Sequence, residues 1–335
     1  METDKVCPFV WLVREVRSMG SRVWLITGAS GGLGQALVSE VLGSGERVIA
    51  VTRDDEPLHP LTAAFPGRLR TVSVDITDAD TLRPVLDDAI TGLGRLDVVV
   101  NNAGYALAGP FEELDDTELR AQFEVNFFAA ASVLRAALPH LRAAEAGRVL
   151  QISSLAGQIG APGMSAYTAS KHALEGLSVS LAAELTPLGI RTTIVEPGAA
   201  RTGFRANWAS RLPGDAALPD YLPVHEALAR SADAAARQVG DPARVAQALV
   251  VLADMPSPPA APSSRQRRPR RHRQRPQRPT RRATPIRDAE LFHRPHKGNV
   301  ICPSIAPPAG SPSSRAAARA WVWPSPVPSP TTGRI

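Results

Sequence analysis

The sequence predicts an α/β fold, a single doubly wound parallel sheet flanked by helices, with a disordered tail behind it. Three observations carry that expectation. Short β-rich runs alternate with helical patterns between Arg22 and Asp254, the signature of a parallel sheet covered on both faces. The first run ends in a glycine turn that opens a helix, Thr27-Gly-Ala-Ser-Gly-Gly-Leu-Gly34. The residue clusters with evident chemistry fall at or just beyond the C-terminal ends of the runs, where such a sheet holds its ligand crevice.

Val23–Thr27 is an apolar run that stops at Gly28 and reads as a buried first strand. The helical pattern Gly32–Leu42 follows. Gly28 permits the tight turn, Gly32 lets a pyrophosphate approach the backbone, and Gly34 lets helix pack on strand. The unpaired N–H groups of that helix start make an anion site. Further strands are expected at Arg47–Val51, Leu69–Val74, Leu96–Val100, Arg148–Ile152 and Ile190–Val195. The helices between and after them are Ala79–Thr91, Asp115–Leu138, Ser165–Leu185 and Asp241–Ala253. Glu112, Glu113, Asp115 and Asp116 lead into the second of these and suit its N-terminal dipole. The last has an Asp N-cap followed by Pro at the first helical position. Right-handed crossovers then give the doubly wound order.

Composition divides the chain of 335 residues. Up to Met255 there are 22 basic and 30 acidic residues; from Pro256 onward there are 16 and 2. The high pI therefore describes a tail attached to an acidic body. Seventeen of the 31 prolines also lie in that tail, and Arg265–Arg282 is almost purely Arg, Pro, Gln and His. Such a composition cannot bury a core, so residues 256–335 are expected to be disordered. Arginine outnumbers lysine 35 to 3, as in GC-rich coding DNA. Out-of-frame reading of such DNA yields this mixture, and a frameshift near Pro256–Ala260 is the expectation. Residues 1–18 form a separate extension, either an upstream start or a dispensable segment, and 19–255 the catalytic domain. No apolar run reaches 18 residues, so no membrane span is expected. Cys7 and Cys302 make no metal or disulfide spacing. A reduced cytoplasmic setting and no metal site are expected.

The motifs Thr27–Gly34, Asp75, Asn101-Asn-Ala-Gly104, Asn126, Ser154, Tyr167, Lys171 and Pro197-Gly198 together resemble the short-chain dehydrogenase/reductase family. The resemblance spans about Met19 to Met255 and implies a Rossmann-type catalytic domain. It is nearest to NADP-preferring carbonyl reductases and to steroid- or retinol-dehydrogenase-like members. The resemblance implies hydride transfer between a nicotinamide cofactor and a carbonyl or secondary alcohol. Tyr167 would be the general acid/base, Ser154 would hold the substrate oxygen, and Lys171 would bond the nicotinamide ribose. Asn126 would complete the catalytic set by holding a water that links Lys171 to solvent. Cofactor contacts would come from Thr27, Gly28, Ser30, Gly32, Leu33, Gly34, Arg53, Asp75, Ile76, Asn102, Ala103 and Gly104. Tyr167, Lys171, Pro197, Gly198 and Thr202 would meet the nicotinamide end. A homodimer or homotetramer is the family habit.

The residues themselves support this transfer. Lys171 lies four positions after Tyr167 on a helix, so the two share one face. An acid/base works best with a pKa near the working pH, so Tyr167 is expected to be shifted below its ordinary ~10. A nearby ammonium favours the phenolate. By itself a Tyr-x-x-x-Lys pair is a helix surface pair; Ser154 thirteen residues upstream and the glycine turn make it a site.

Cofactor choice turns on Val48-Ile-Ala-Val-Thr52-Arg53. An acid after the second strand would bind a ribose 2′-OH, whereas an Arg suits a 2′-phosphate. Thr52 stands at the acid position and Arg53 follows, so NADP(H) is favoured over NAD(H), although Asp54 and Asp55 are close by. Asp75 either accepts from the adenine amino group or serves as a turn residue. Phe204, Trp208, Leu212 and Tyr221 either form a lid for an apolar carbonyl or alcohol substrate or pack on the domain. His140 and His225 read as isolated surface residues, and His172 as a structural neighbour of Lys171. Two other readings remain: a relic with an intact site but an uncovered sheet edge, and polyanion binding through Arg265–Arg282. The basic run lacks interleaved aromatics, so nucleic acid is not an expected partner.

Overall fold

A computed structural model describes residues 21–144, 146–197, 204, 218–233, 240–255, 300–301 and 319–322. Six parallel strands form the sheet: β1 Val23–Thr27, β2 Arg47–Thr52, β3 Leu69–Ser73, β4 Val98–Asn101, β5 Arg148–Ile152 and β6 Arg191–Glu196. They run in the order β3-β2-β1-β4-β5-β6, so the order of winding across the sheet reverses between β1 and β4. That reversal opens a crevice at the strands' C-terminal ends. The strands match the expected ones to within a residue or two.

Alternation along each strand sends neighbouring side chains to opposite faces. Trp24, Ile26, Val48, Ala50, Val98, Val100, Leu150 and Ile152 face α1 (Gly32–Gly43) and α8 (Pro242–Asp254). Val23, Leu25, Ile49, Val51, Val99 and Val149 face α3 (Ala79–Leu93), α5 (Ala130–Ala143) and α6 (Ser165–Leu185). Asp78 caps α3 by accepting from Asp80 N and Thr81 N, and Gly94 ends it in a left-handed conformation. Asp241 caps α8 through Ala243 N at 3.0 Å, ahead of Pro242, as the sequence predicts. The far end of α8 is tied down by Arg22, which bonds Glu46 at 2.8 Å and Asp254 at 2.5 Å. Trp24 Nε1 donates to the same Glu46 carboxylate.

Several elements depart from expectation. The helix read as Asp115–Leu138 is three pieces: α4 Asp116–Phe123, a π-helical turn Glu124–Ala129, and α5, which runs on through Pro139. A short helix α2 (His59–Ala64) and a longer one α7 (Leu222–Asp233) have no counterpart in the sequence reading. The open edge expected at β6 is partly covered: β8 (Arg319–Val322) pairs antiparallel with it, and β7 (Val300–Ile301) pairs with β8. An edge strand offers unpaired N–H and C=O groups to any extended segment, which makes such pairing possible. Arg265–Arg282, Cys7 and Cys302 lie outside the described residues.

Candidate active site

The glycine turn closes by contact with the strand beside it. Gly28 and Gly32 adopt positive φ, 62° and 53°, which a side chain would strain. A Cβ on Gly28 would stand 2.9 Å from Ala103 Cα, and one on Gly34 would overlap the Gly28 carbonyl. Thr27, buried at the end of β1, accepts at Oγ1 from Asn102 N and Ala103 N, both at 3.0 Å. Asn102 Nδ2 returns a bond to Thr27 O at 2.9 Å. The ends of β1 and β4 are therefore locked together directly beneath the turn. Gly31 caps α1 with extended backbone and no side-chain hydrogen bond, so its cap supplies no acceptor to the first N–H groups of that helix.

A cleft of about 1020 Å³ opens there. Of the sequence-predicted cofactor residues, Gly28, Ser30, Arg53, Asp75, Ile76, Ala103 and Gly104 line it. Thr27, Gly34 and Asn102 shape its floor, whereas Leu33 packs into the core beneath α1. The bare helix start and the tight glycine cradle fit a dinucleotide pyrophosphate. Asp75 proves to be a turn residue as well as a cleft wall: its Oδ1 accepts from Thr77 N at 2.9 Å and Thr77 Oγ1 at 2.8 Å. Those bonds hold its carboxyl below the usual range, with the nearby Arg53 adding to the effect. Pro197 follows β6; Gly198, Thr202, Trp208 and Leu212 lie outside the described residues.

The four expected catalytic residues converge from three elements. Ser154 follows β5 and caps the turn Leu155–Gly157, its Oγ accepting from Ala156 N at 3.2 Å. Its hydroxyl neighbours the phenol of Tyr167 on α6 and pulls against the effect of burial there. Lys171 Nζ lies 6.0 Å from the Tyr167 ring centroid and donates to Ile152 O at 2.8 Å. Asn126 sits in the π-turn, the kind of helix defect that re-aims a side chain. There Asn126 Oδ1 accepts from Tyr105 N at 3.1 Å, and Nδ2 donates to Tyr105 O and Ser170 Oγ, both at 3.0 Å. The helix bearing Tyr167 and Lys171 is thereby stitched to the loop after β4.

One expectation about Tyr167 is corrected. Burial pushes its phenol up to about 12, and the neighbouring Ser154 hydroxyl only partly opposes that. Burial likewise pulls the Lys171 ammonium down to about 8, against a smaller opposing effect of Glu175. Both groups are almost fully enclosed, at 5% and 4% exposure, so loss of water is the largest effect on each. The protein's own groups therefore keep Tyr167 protonated.

The residues matched by the family model for short chain dehydrogenases are 22–212, more than half the chain. The chain belongs to the short-chain dehydrogenase family. It is 41% identical over 190 residues to oxidoreductase BOA17 of Botryotinia fuckeliana, covering 56% of this chain and 68% of that protein. A solved short-chain dehydrogenase from Streptomyces avermitilis superposes with TM-score 0.63 at 40% identity, over 72% of this chain and 87% of that one. A metagenomic short-chain oxidoreductase in complex with NADP matches at 30% identity, TM-score 0.56, over 71% and 93%. A Mycobacterium paratuberculosis enzyme bound to NAD matches at 28%, TM-score 0.59, over 69% and 90%. Membership makes the chain an oxidoreductase of the NAD(P)-dependent kind.

In this short-chain dehydrogenase some site residues escape a reading of the sequence. Gln122, fully buried, accepts from Leu107 N at 2.6 Å and donates to Tyr105 O at 2.9 Å, bracing the loop behind the cleft. Its position four before Asn126 on one helix was the available signal. The acids read as dipole partners divide their work. Asp115 caps α4 in a reciprocal box with Glu118. Glu112 accepts from Tyr221 Oη at 2.8 Å. Glu113 Oε1 accepts from Leu218 N and contacts His225 Nε2, both at 2.9 Å. His225 is thus the partner of Glu113, and His140 contacts Asp87 at 2.8 Å; neither is isolated. Through these bonds α7 is pinned over the site, where Leu228 packs with Ala106, Ala108 and Tyr167. Phe204 stands 5.7 Å from the Tyr167 ring. Among the described residues no His, Cys, Asp or Glu group is placed to hold a metal, and no helix is long and apolar enough to cross a membrane.

Proposed function

We propose that this chain interconverts an apolar carbonyl compound and its alcohol with NADP(H), using Tyr167 as general acid/base. The observation that carries the reading is the enclosed Ser154–Tyr167–Lys171 set, joined to the cleft by Ala106, which lines the cleft and packs with Tyr167, with Phe204, Leu228 and Ala108 also around the phenol. When bound, NADP(H) supplies the hydride and, in its oxidised form, a positive charge that favours the phenolate. Ser154 Oγ orients the substrate oxygen beside Tyr167 Oη. In reduction Tyr167 Oη gives its proton to that oxygen; in oxidation it takes the proton back. Lys171, anchored by Ile152 O, keeps its ammonium near the phenol, and Asn126 fixes the loop on the opposite side. The apolar packing suits a medium-sized carbonyl substrate, of the carbonyl-reductase or steroid- and retinol-dehydrogenase-like type.

Support for NADP(H) comes from the end of β2. Arg53 is exposed in the cleft wall, while the two rival acids are engaged by the backbone turn and by β3. Asp54 Oδ1 accepts from Glu56 N at 3.0 Å, and Asp55 Oδ2 accepts from Thr71 Oγ1 at 3.2 Å. Thr52 Oγ1 lies 2.7 Å from Ser30 Oγ, placing neutral hydroxyls where an acid would repel a phosphate. Removing the guanidinium should cost roughly one charge-assisted hydrogen bond, about 1.5–3 kcal/mol. Arg53→Ala is therefore expected to weaken NADPH about 10- to 100-fold and NADH little, read by fluorescence titration. Equal effects on both cofactors would remove the 2′-phosphate role.

The high pKa of Tyr167 gives reaction direction a pH signature. The proton needed for reduction stays in place around neutrality, so reductive kcat/KM is expected to be flat between about pH 6 and 8. Oxidation needs the phenolate, so oxidative kcat/KM should rise with pH over the same interval. Profiles in both directions check this, and an oxidation rate that falls as pH rises would contradict it.

A further inference from the structure

We infer that Glu175 is a positioning residue for the reaction, clamping the turn that carries Ser154 onto the helix that carries Tyr167 and Lys171. The inference deepens the proposed reading and rests on it. Glu175 lies one helical turn beyond Lys171 on α6 and is 8% exposed. Both carboxylate oxygens are used. Ser153 Oγ donates to Oε1 at 2.5 Å, and Gln158 Nε2 donates to Oε2 at 2.5 Å. These donors stand at the two ends of the turn that holds Ser154, so a single side chain grips that turn from both sides.

The surroundings leave the clamp little slack. Ser153 N donates to Val195 O at 2.7 Å, which fixes the start of the turn against β6. Within it, Gly157 N donates to Ser154 O at 2.8 Å and Gln158 N to Leu155 O at 3.0 Å. Gly157 presses directly on the clamp: a Cβ there would overlap the Glu175 carboxylate and lie 2.6 Å from Ser153 Oγ. Ser154 lies on one of the two bodies that Glu175 joins, and Tyr167 and Lys171 lie on the other. A displacement of the turn by a fraction of an ångström would spoil the placement of Ser154 against Tyr167 before it disturbed the pyrophosphate end of the cleft at Gly28 and Ser30.

The chemistry of the contacts asks for an acid. A carboxylate accepts from both donors at once, whereas an amide keeps one acceptor oxygen and must turn the Ser153 hydroxyl round to receive its N–H₂, losing the charge-assisted bonds. Enclosing a carboxylate is costly, and burial does raise the Glu175 pKa, against the bonds from Ser153 and Gln158 and the charges of His172 and Lys171. Lys171 benefits in return, since Glu175 opposes the loss of its proton. The sequence signal was a Glu on the same helix face as Tyr167 and Lys171, where a solvated charge would be out of place.

The test uses the full chain carrying Glu175→Gln, and separately Gln158→Ala, which removes one leg of the clamp from an exposed position and leaves the core intact. Carbonyl-reduction kcat, NADPH dissociation constant and amide exchange across 153–158 are read together. Glu175→Gln is expected to lower kcat about tenfold or more, the worth of one charge-assisted hydrogen bond, and Gln158→Ala about threefold. NADPH affinity should stay within about twofold in both, and exchange across 153–158 should quicken about tenfold relative to α1. Wild-type kcat and unchanged exchange in Glu175→Gln would overturn the clamp, as would a loss of NADPH affinity equal to the loss of kcat. An inactive wild-type chain, or an active Tyr167→Phe, would instead overturn the reading of the site, while the exchange data would still decide the clamp.

Discussion

Tyr167→Phe is expected to reduce kcat in both directions by about 10²- to 10⁴-fold, the range for loss of a positioned acid/base. The substitution removes one oxygen and leaves the ring, which is 5% exposed and packs with Phe204, Leu228, Ala106 and Ala108. Fold and cofactor cleft should therefore be untouched. The phenol contributes no wall to the dinucleotide cleft beside Gly28, Arg53 and Asp75, so NADPH affinity is expected to stay within about twofold. A drop in kcat with an unchanged dissociation constant is the signature of a group acting in the transition state. Turnover of the variant near the wild-type rate would remove Tyr167 from that role.

Gly34→Ala should have the second large effect, through structure instead of chemistry. Its new methyl would overlap the Gly28 carbonyl and stand 2.8 Å from Asn102 Nδ2. Neither neighbour yields easily, because one is backbone and the other bonds Thr27 O and Gly28 O. Relieving the overlap means prising α1 from the turn, an overpacking cost of about 1–3 kcal/mol. A fall in melting temperature of several degrees is expected, roughly 2–4 °C for each kcal/mol in a domain of this size. NADPH affinity should fall at least about tenfold, since the pyrophosphate site is the gap that the helix and turn enclose. An unchanged melting temperature together with wild-type NADPH affinity would contradict this role for Gly34.

Much of the fold was legible because its signals are local. Short, near-continuous apolar runs such as Val23–Thr27 and Arg148–Ile152 bury both faces and carry their own strand pattern. Asp241 and the glycines of the turn mark element ends through short-range backbone chemistry. The π-turn at Glu124–Ala129 was not legible: its cause is tertiary, the capture of Asn126 by Tyr105 and Ser170 from two other elements. The same holds for Glu113 and His225, 112 residues apart, which meet only once α7 has folded over the site. Motif residues placed the site in the sequence, yet the spacing that suggested an activated Tyr167 says nothing of dehydration. In the folded chain that burial drives both Tyr167 and Lys171 toward neutrality. The clamp at Glu175 lay hidden for a related reason, because an acid on a helix face is ordinarily solvated and only the approach of Ser153 and Gln158 gives it a task.

The central claim is that the cleft beneath Gly28 and beside Arg53 is a nicotinamide dinucleotide site of NADP type. Fluorescence titration of the purified full chain with NADPH and with NADH tests it most directly. Saturable binding of both, with NADPH tighter by about tenfold or more, is the expected result. Folded protein that binds neither cofactor, or that binds NADH more tightly, would contradict it.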